Sequence, residues 1–165
     1  MVEMRCGMKK RMISVSCTIV LTICMLLTSV NTVYAATDTP ILDGSYLTHD
    51  NESIGYDVKI TRGVDLLTGY SKCVRLGPGE IYAGGTTIAR QKVDSVQIAV
   101  IVERARDENS TWSTYASWQK ENLNADRASA NRALTVEGGY YYRVRCLHVA
   151  NSDMSSSFTN GVYVE

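Results

Sequence analysis

The chain has 165 residues, with 17 Lys and Arg residues against 17 Asp and Glu residues, and its formal net charge is zero. A chain with this balance has no electrostatic reason to gather on nucleic acid or anionic lipid, which both select clustered basic side chains. The length suits one domain with a hydrophobic core.

Residues 1–35 have the pattern of a secretory signal peptide. A basic cluster, Lys9 to Arg11, precedes the apolar run Met12 to Val30, and the small-residue exit Val33 to Ala35 suits signal peptidase. A retained membrane anchor is the alternative, because a helix of about 20 residues can cross a bilayer. Six Ser and Thr residues dilute the apolar run and favour cleavage. We therefore predict a secreted, extracellular protein.

Removal of the signal peptide changes the charge and the cysteine count. It leaves 130 residues, a formal charge of −3, and two cysteines out of five, Cys73 and Cys146. In an exported chain such a pair forms a disulfide more often than a metal site, since zinc needs about four ligands and the chain has two histidines. The sequence thus favours a disulfide between Cys73 and Cys146, no metal and no cofactor.

The alternation around Cys73 leaves that pairing open. If Tyr70 to Leu76 is a strand, Tyr70, Val74 and Leu76 face inward, and Cys73 shares the opposite face with Ser71 and Arg75. The Cys73 thiol would then point to solvent.

The chain after the signal peptide divides into a tail and a β domain. Residues 36–52 are polar and lack a hydrophobic period, which indicates a flexible N-terminal tail. Residues 53–165 contain short runs rich in Val, Ile, Thr and Tyr between turn residues, which predict an all-β domain. In the clearest run, Val96, Ile98, Val100 and Val102 share one face.

Three further segments carry turn or strand signals. Gly77-Pro78-Gly79 predicts a turn, and Gly84-Gly85 predicts a tight hairpin. Between Thr111 and Asn131 the aromatic spacing fits a strand or a helix, and we favour a strand followed by a loop at Asn122 to Asp126. The last third reads as three consecutive antiparallel strands, in Ala133 to Val136, Tyr140 to Val149 and Thr159 to Val164.

Two resemblances extend this reading. The run GGYYYRVRCLHVANSDMSSSFTNGVYV resembles the last two strands of fibronectin type III and related immunoglobulin-like sandwiches. The resemblance implies a single antiparallel β-sandwich, with Tyr142 as the corner tyrosine. Over nearly the whole exported part, TRGVDLLTGYS, AGGTTIA, VDSVQIAVIVER and GGYYYRVRCLHVA are similar to an uncharacterised family of small secreted proteins of Gram-positive bacteria. This second resemblance implies a bacterial origin and an extracellular location, but no activity.

Catalysis finds little support in the sequence. The chain has no Gly-x-Ser-x-Gly elbow and no His-Glu-x-x-His motif. Its carboxylates fall near strand ends and loops, where solvated charge is ordinary, so a glycan-active enzyme is the weakest of the functional hypotheses. His148 ends a predicted strand, and a satisfied histidine is a simpler interpretation than a ligand or a proton sensor.

The preferred hypothesis is a non-catalytic binding module. Exposed aromatic side chains stack on sugars or anchor peptides, and Arg side chains grip anionic groups. The candidate ligand-binding residues are Trp112, Tyr115, Trp118, Tyr141, Arg143 and Arg145. The simpler alternatives are core packing for the two Trp residues and cross-strand pairing with Glu103 for the two Arg residues.

The expected partner is an extracellular ligand, a cell-wall glycan, a host glycan or a protein, with no nucleic acid and, after cleavage, no membrane. The alternative function is that of a small secreted toxin or self-assembling protein that uses its edge strands.

Overall fold

A computed structural model describes residues 43–59 and 63–165, and the strands in these ranges form one sheet. The predicted signal peptide, residues 1–35, lies outside the described residues. The nine strands of the described ranges are β1 (Leu47–Thr48), β2 (Glu52–Tyr56), β3 (Val58–Lys59), β4 (Leu66–Gly77), β5 (Glu80–Ala105), β6 (Ser113–Thr135), β7 (Tyr140–Ala150), β8 (Asp153–Phe158) and β9 (Gly161–Val164). The all-β prediction is confirmed.

The strand order is β1-β9-β7-β5-β4-β2, with β6 paired to β5 and β8 paired to both β7 and β3. Neighbouring strands are antiparallel, except that β1 runs parallel to β9. Of the predicted tail, residues 36–52, the described part contains β1 and the first residue of β2. No helix that could cross a membrane occurs within residues 43–59 and 63–165.

The sheet curls because its central strand bends. The first part of β5 pairs with β4 and the second part pairs with β7. Between these parts the pairing with β6 shifts from Ile88↔Arg127 to Val93↔Ala125, so four residues of β5 oppose Asp126 alone. An insertion of this kind bends a strand and increases its twist. As a result β4 comes close to β7, and the Cys73 thiol donates to the Tyr142 carbonyl at 3.5 Å.

The core lies on the inner side of the curl. The predicted face of β5, Val96, Ile98, Val100 and Val102, is fully buried, which confirms the alternation. On β7 Tyr142 is likewise fully buried, and its hydroxyl donates to the Glu137 carbonyl at 2.8 Å.

The predicted hairpin at Gly84 and Gly85 is wrong, because both glycines lie inside β5. They are needed for close packing rather than for a turn. A Cβ at Gly84 would collide with the backbone of β6, and a Cβ at Gly85 would collide with the Tyr70 carbonyl and lie 2.8 Å from the Cys146 sulfur. The turn predicted at Gly77-Pro78-Gly79 is confirmed, since β4 ends at Gly77, β5 begins at Glu80, and Gly79 has a φ of 69°.

The predicted loop at Asn122 to Asp126 is also wrong, because β6 continues without a break from Ser113 to Thr135. The polar residues mark the bend of the strand, where Asn124 takes a left-handed conformation with a φ of 48°. β6 therefore pairs with β5 along both of its parts. Among the last strands, β7 pairs antiparallel with β8 and β9, whereas residues 133–135 belong to β6 and do not pair with β7 in the described residues.

The inward face of β4 is the reverse of the predicted one. Cys73 and Ser71 are fully buried, whereas Leu76 is 51 % exposed. The residues of β4 that face β7 are buried, whatever the hydrophobicity of their side chains. The prediction that the Cys73 thiol points to solvent is therefore wrong.

Candidate functional site

The outward face of β7 carries three of the predicted binding residues, Tyr141, Arg143 and Arg145. Arg143 and Arg145 both contact Glu103 on β5, with nitrogen to oxygen distances of 2.8 and 3.1 Å. Glu103 is 7 % exposed, so this carboxylate depends on both guanidinium groups for its solvation. The predicted cross-strand pairing is confirmed, and the charge of Arg143 is engaged within the protein.

Trp112 lies in the β5–β6 loop, residues 106–112, and packs on the same face. The guanidinium carbon of Arg143 lies 4.1 Å from the centroid of its ring. The ring also packs on Gly161, where an added Cβ would lie 2.8 Å from both Trp112 Cη2 and Leu47 Cδ2. Trp112 is therefore a packed neighbour of the outward face rather than a free platform for a ligand.

Tyr115 and Trp118 do not join this face. Both are partly buried and pack against the hydrophobic core. Tyr115 makes an edge contact with Tyr142 and donates to the Thr135 carbonyl at 2.9 Å, and Arg132 covers the Trp118 ring at 4.9 Å. For these two residues the core interpretation accounts for the contacts.

Tyr141 instead belongs to a cluster of three rings at the surface. It pairs across the strands with Tyr163 on β9, and their ring centroids lie 5.0 Å apart. β1 runs parallel to β9 and ends at Thr48, which brings His49 beside both tyrosines. The His49 ring lies 4.7 Å from Tyr163 and 5.7 Å from Tyr141, and its Nε2 lies 3.1 Å from the Tyr141 hydroxyl.

These rings border a surface groove of about 490 Å³, called the aromatic groove below. Two loop carboxylates, those of Asp107 and Glu108, bring negative charge to the groove. Within the loop, the Asp107 Oδ1 accepts from the Asn109 amide and the Ser110 hydroxyl, both at 2.9 Å. The groove is lined by Leu47, His49, Arg106, Asp107, Glu108, Gly139, Tyr141 and Tyr163. Ring faces and carboxylates around one concave surface can stack on a flat ligand and accept its hydrogen bonds.

Of the groove residues, the sequence singled out Tyr141 alone. Tyr163 follows from the strand pattern once the β7–β9 register is known, because it lies directly opposite Tyr141. His49 depends on a parallel pairing of two residues, for which the sequence near β1 has no signal. Asp107 and Glu108 belong to no motif in the sequence, and their proximity to the rings comes from the folded arrangement.

Comparison with known proteins leaves the family open. No protein-family model and no curated protein matches the chain. One similar solved structure is a crystal structure of Spo0M, sporulation control protein, from Bacillus subtilis, with 10% sequence identity and a TM-score of 0.37. The match covers 70% of this chain and 50% of that one, so the chain corresponds to about half of that protein.

The two cysteines are free and buried in this structure, so the predicted disulfide is absent from it. The Cys146 thiol lies 3.8 Å from the Gly84 carbonyl, and the Cys73 thiol contacts the Tyr142 carbonyl. Burial raises the pKa of Cys73 to about 12 and raises the pKa of Cys146 as well. Both thiols are therefore kept protonated, which makes them poor nucleophiles.

His148 is fully buried, and both of its ring nitrogens are partnered. Nδ1 lies 2.9 Å from the Thr87 hydroxyl and Nε2 lies 2.8 Å from the Ser157 hydroxyl. This geometry matches a satisfied structural histidine. Among the described residues, no group of three or more His, Cys, Asp or Glu side chains is placed to hold a metal ion.

Proposed function

We infer that this protein is an exported, non-catalytic binding module that holds a saccharide in the aromatic groove. The observation that carries the inference is the surface cluster of Tyr141, Tyr163 and His49 beside two loop carboxylates. The signal-peptide pattern and the resemblance to secreted proteins of Gram-positive bacteria support an extracellular site of action.

A saccharide suits the groove for two reasons. Its ring carries C–H groups that pack on aromatic faces, and its hydroxyls need acceptors and donors around the stacking surface. The groove offers aromatic rings together with the carboxylates of Asp107 and Glu108, whereas Leu47 is its one aliphatic lining residue among those described. An apolar peptide anchor would find little aliphatic surface there.

A binding role rather than a hydrolytic one is supported by the burial of the His–Ser contact found among the described residues, that of His148 with Ser157. His148 and Ser157 are 0% and 1% exposed, so no extracellular substrate reaches them without unfolding part of the domain.

As part of this proposal, the curled sheet is a variant of the predicted immunoglobulin-like sandwich. Its two layers are the β4 side and the β7 side, and β5 and β6 pass through both by bending. The groove then lies at one end of the sandwich, where β7 begins, which is where sandwich domains commonly carry their binding loops.

Substitution of Tyr141 by Ala is expected to weaken saccharide binding about tenfold or more, because it removes one of the three rings of the groove. The measurement is a titration of the purified protein with cell-wall and mucin oligosaccharides, monitored by calorimetry and by tryptophan emission. Trp112 reports on the groove because it packs beside Leu47, which lines it.

The matched control is Tyr56→Ala, which removes a tyrosine that is 66% exposed on β2, at the other end of the strand order from β1. Equal loss of affinity in the two variants, or no heat and no emission change with any oligosaccharide, would contradict the proposed function.

A second candidate function is self-assembly through β6. This strand spans 23 residues, and in the described residues it pairs only with β5, so its other edge presents unpaired backbone groups. Leu123, which is 72% exposed, lies on that strand. If assembly is the function, sedimentation velocity should show oligomers that Leu123→Lys reduces to monomers, since an exposed charge on an edge strand opposes strand pairing. A monomer at every protein concentration would exclude this candidate.

A further inference from the structure

Given the proposed saccharide function, we propose that the ligand of the aromatic groove is an amino sugar whose amino group is free and protonated. The groove combines negative charge with aromatic faces, and its one guanidinium is engaged by a neighbouring side chain. An ammonium group on the sugar complements all three features.

The carboxylates at the groove are available to a ligand. In the described part of the chain Glu108 makes no hydrogen bond or ion pair, and Asp107 uses Oδ1 for the turn of its own loop, which leaves Oδ2 without a partner. Both residues are exposed at the rim. A carboxylate that is free in the unbound protein gains an ion pair on binding without first losing one.

Arg106 offsets one of the two carboxylate charges and leaves the other, and its guanidinium is held against Tyr140. Its Nε and one terminal nitrogen donate to the Tyr140 hydroxyl at 3.2 and 3.0 Å, and its central carbon lies 5.2 Å from the Tyr140 ring centroid. Tyr140 is not among the residues that line the groove. A cationic sugar leaves this contact intact.

The aromatic rings favour the same charge. The faces of Tyr rings carry the negative part of the ring quadrupole and attract cations within about 6 Å. Tyr141 and Tyr163 offer two such rings beside the free carboxylates, and the His49 ring lines the same groove. On β7, the guanidinium of Arg143 is paired with Glu103 and covered by Trp112.

The test compares three matched tetrasaccharides at about pH 6: the glucosamine tetramer, the N-acetylglucosamine tetramer and the glucose tetramer. At this pH most of the free amino groups of the glucosamine tetramer are protonated. We expect the glucosamine tetramer to bind about fivefold more tightly than the other two, as exposed ion pairs and cation–π contacts allow. Added salt should shrink the difference by screening it.

A double variant separates the carboxylates from the rings. Asp107→Asn with Glu108→Gln keeps an acceptor for the loop turn and removes both charges, so it should weaken binding of the glucosamine tetramer about fivefold more than binding of the N-acetylated tetramer and erase the preference. The control, Glu80→Gln with Asp126→Asn, removes the same charge from exposed residues outside the groove and should keep the preference.

The outcomes distinguish the two proposals. If no tetrasaccharide binds, the saccharide function itself fails. If the N-acetylated or glucose tetramer binds as tightly as the glucosamine tetramer, or if the two double variants behave alike, the saccharide function stands and the amino-sugar inference is overturned.

Discussion

Replacement of Gly55 by Ala should be among the most destabilising single substitutions in this domain. Gly55 lies on β2, and a Cβ there would collide with the backbone carbonyl oxygen and carbon of Phe158 at the end of β8. A backbone group cannot move aside as a flexible side chain can, so β2 and β8 must separate. We expect a loss of about 3 kcal/mol in the free energy of unfolding, measured by urea denaturation.

Gly77→Ala is the matched control. An added Cβ at Gly77, the last residue of β4, would have no atom within 4 Å. The same substitution there should change stability by less than about 0.5 kcal/mol. Comparable losses at the two positions would show that general strand propensity, rather than the contact with Phe158, sets the effect.

The second large effect is a loss of stability on mild acidification, caused by His148. Burial lowers the pKa of His148 to about 4 from an ordinary 6.5, against the opposing influence of the Asp57 carboxylate. Between these two pKa values the unfolded chain binds the proton and the folded protein does not. The contribution of neutral His148 is therefore complete above pH 6.5 and is lost as the pH falls toward 4, by about 2 kcal/mol between pH 7.5 and pH 5.

The variant His148→Gln isolates this contribution, because it keeps a polar side chain of similar reach but does not titrate. Urea denaturation at several pH values should give a shallower pH dependence for the variant than for the parent, although the variant is less stable at neutral pH. Parallel curves would mean that carboxylates, rather than His148, cause the acid sensitivity.

Local alternation was enough to predict the buried face of β5. The four apolar residues from Val96 to Val102 follow one another at a spacing of two, and each is fully buried. The pairing of Arg143 and Arg145 with Glu103 could be anticipated for the same reason, since opposite charges on adjacent strands lie across from each other.

The misassigned segments depend on contacts between distant parts of the chain. Gly84 and Gly85 resemble hairpin residues locally, but β6 on one side and Cys146 on the other require them within a strand. Cys73 is buried because β7 faces it, which the alternation of β4 by itself does not indicate. Short-range periodicity does not predict where a strand bends or which strand faces each of its parts.

The candidate site was predictable only in part for a similar reason. Tyr141 could be selected because it is an outward aromatic residue on a strand that the sequence pattern predicts. Its partners reach it through the antiparallel pairing of β7 with β9 and the parallel pairing of β1 with β9. The second pairing brings together residues more than 100 positions apart in the chain.

The most direct test of the aromatic groove is a chemical-shift map of the ¹⁵N-labelled protein during titration with the oligosaccharide that binds most tightly. Binding in the aromatic groove should give the largest amide shifts at His49, Tyr141, Tyr163 and the loop at Asp107 and Glu108. Another groove, of about 360 Å³, lies beside Gln97, Leu147 and Val149. Shifts centred on that groove, or no shifts at saturating ligand, would contradict the assignment of the ligand to the aromatic groove.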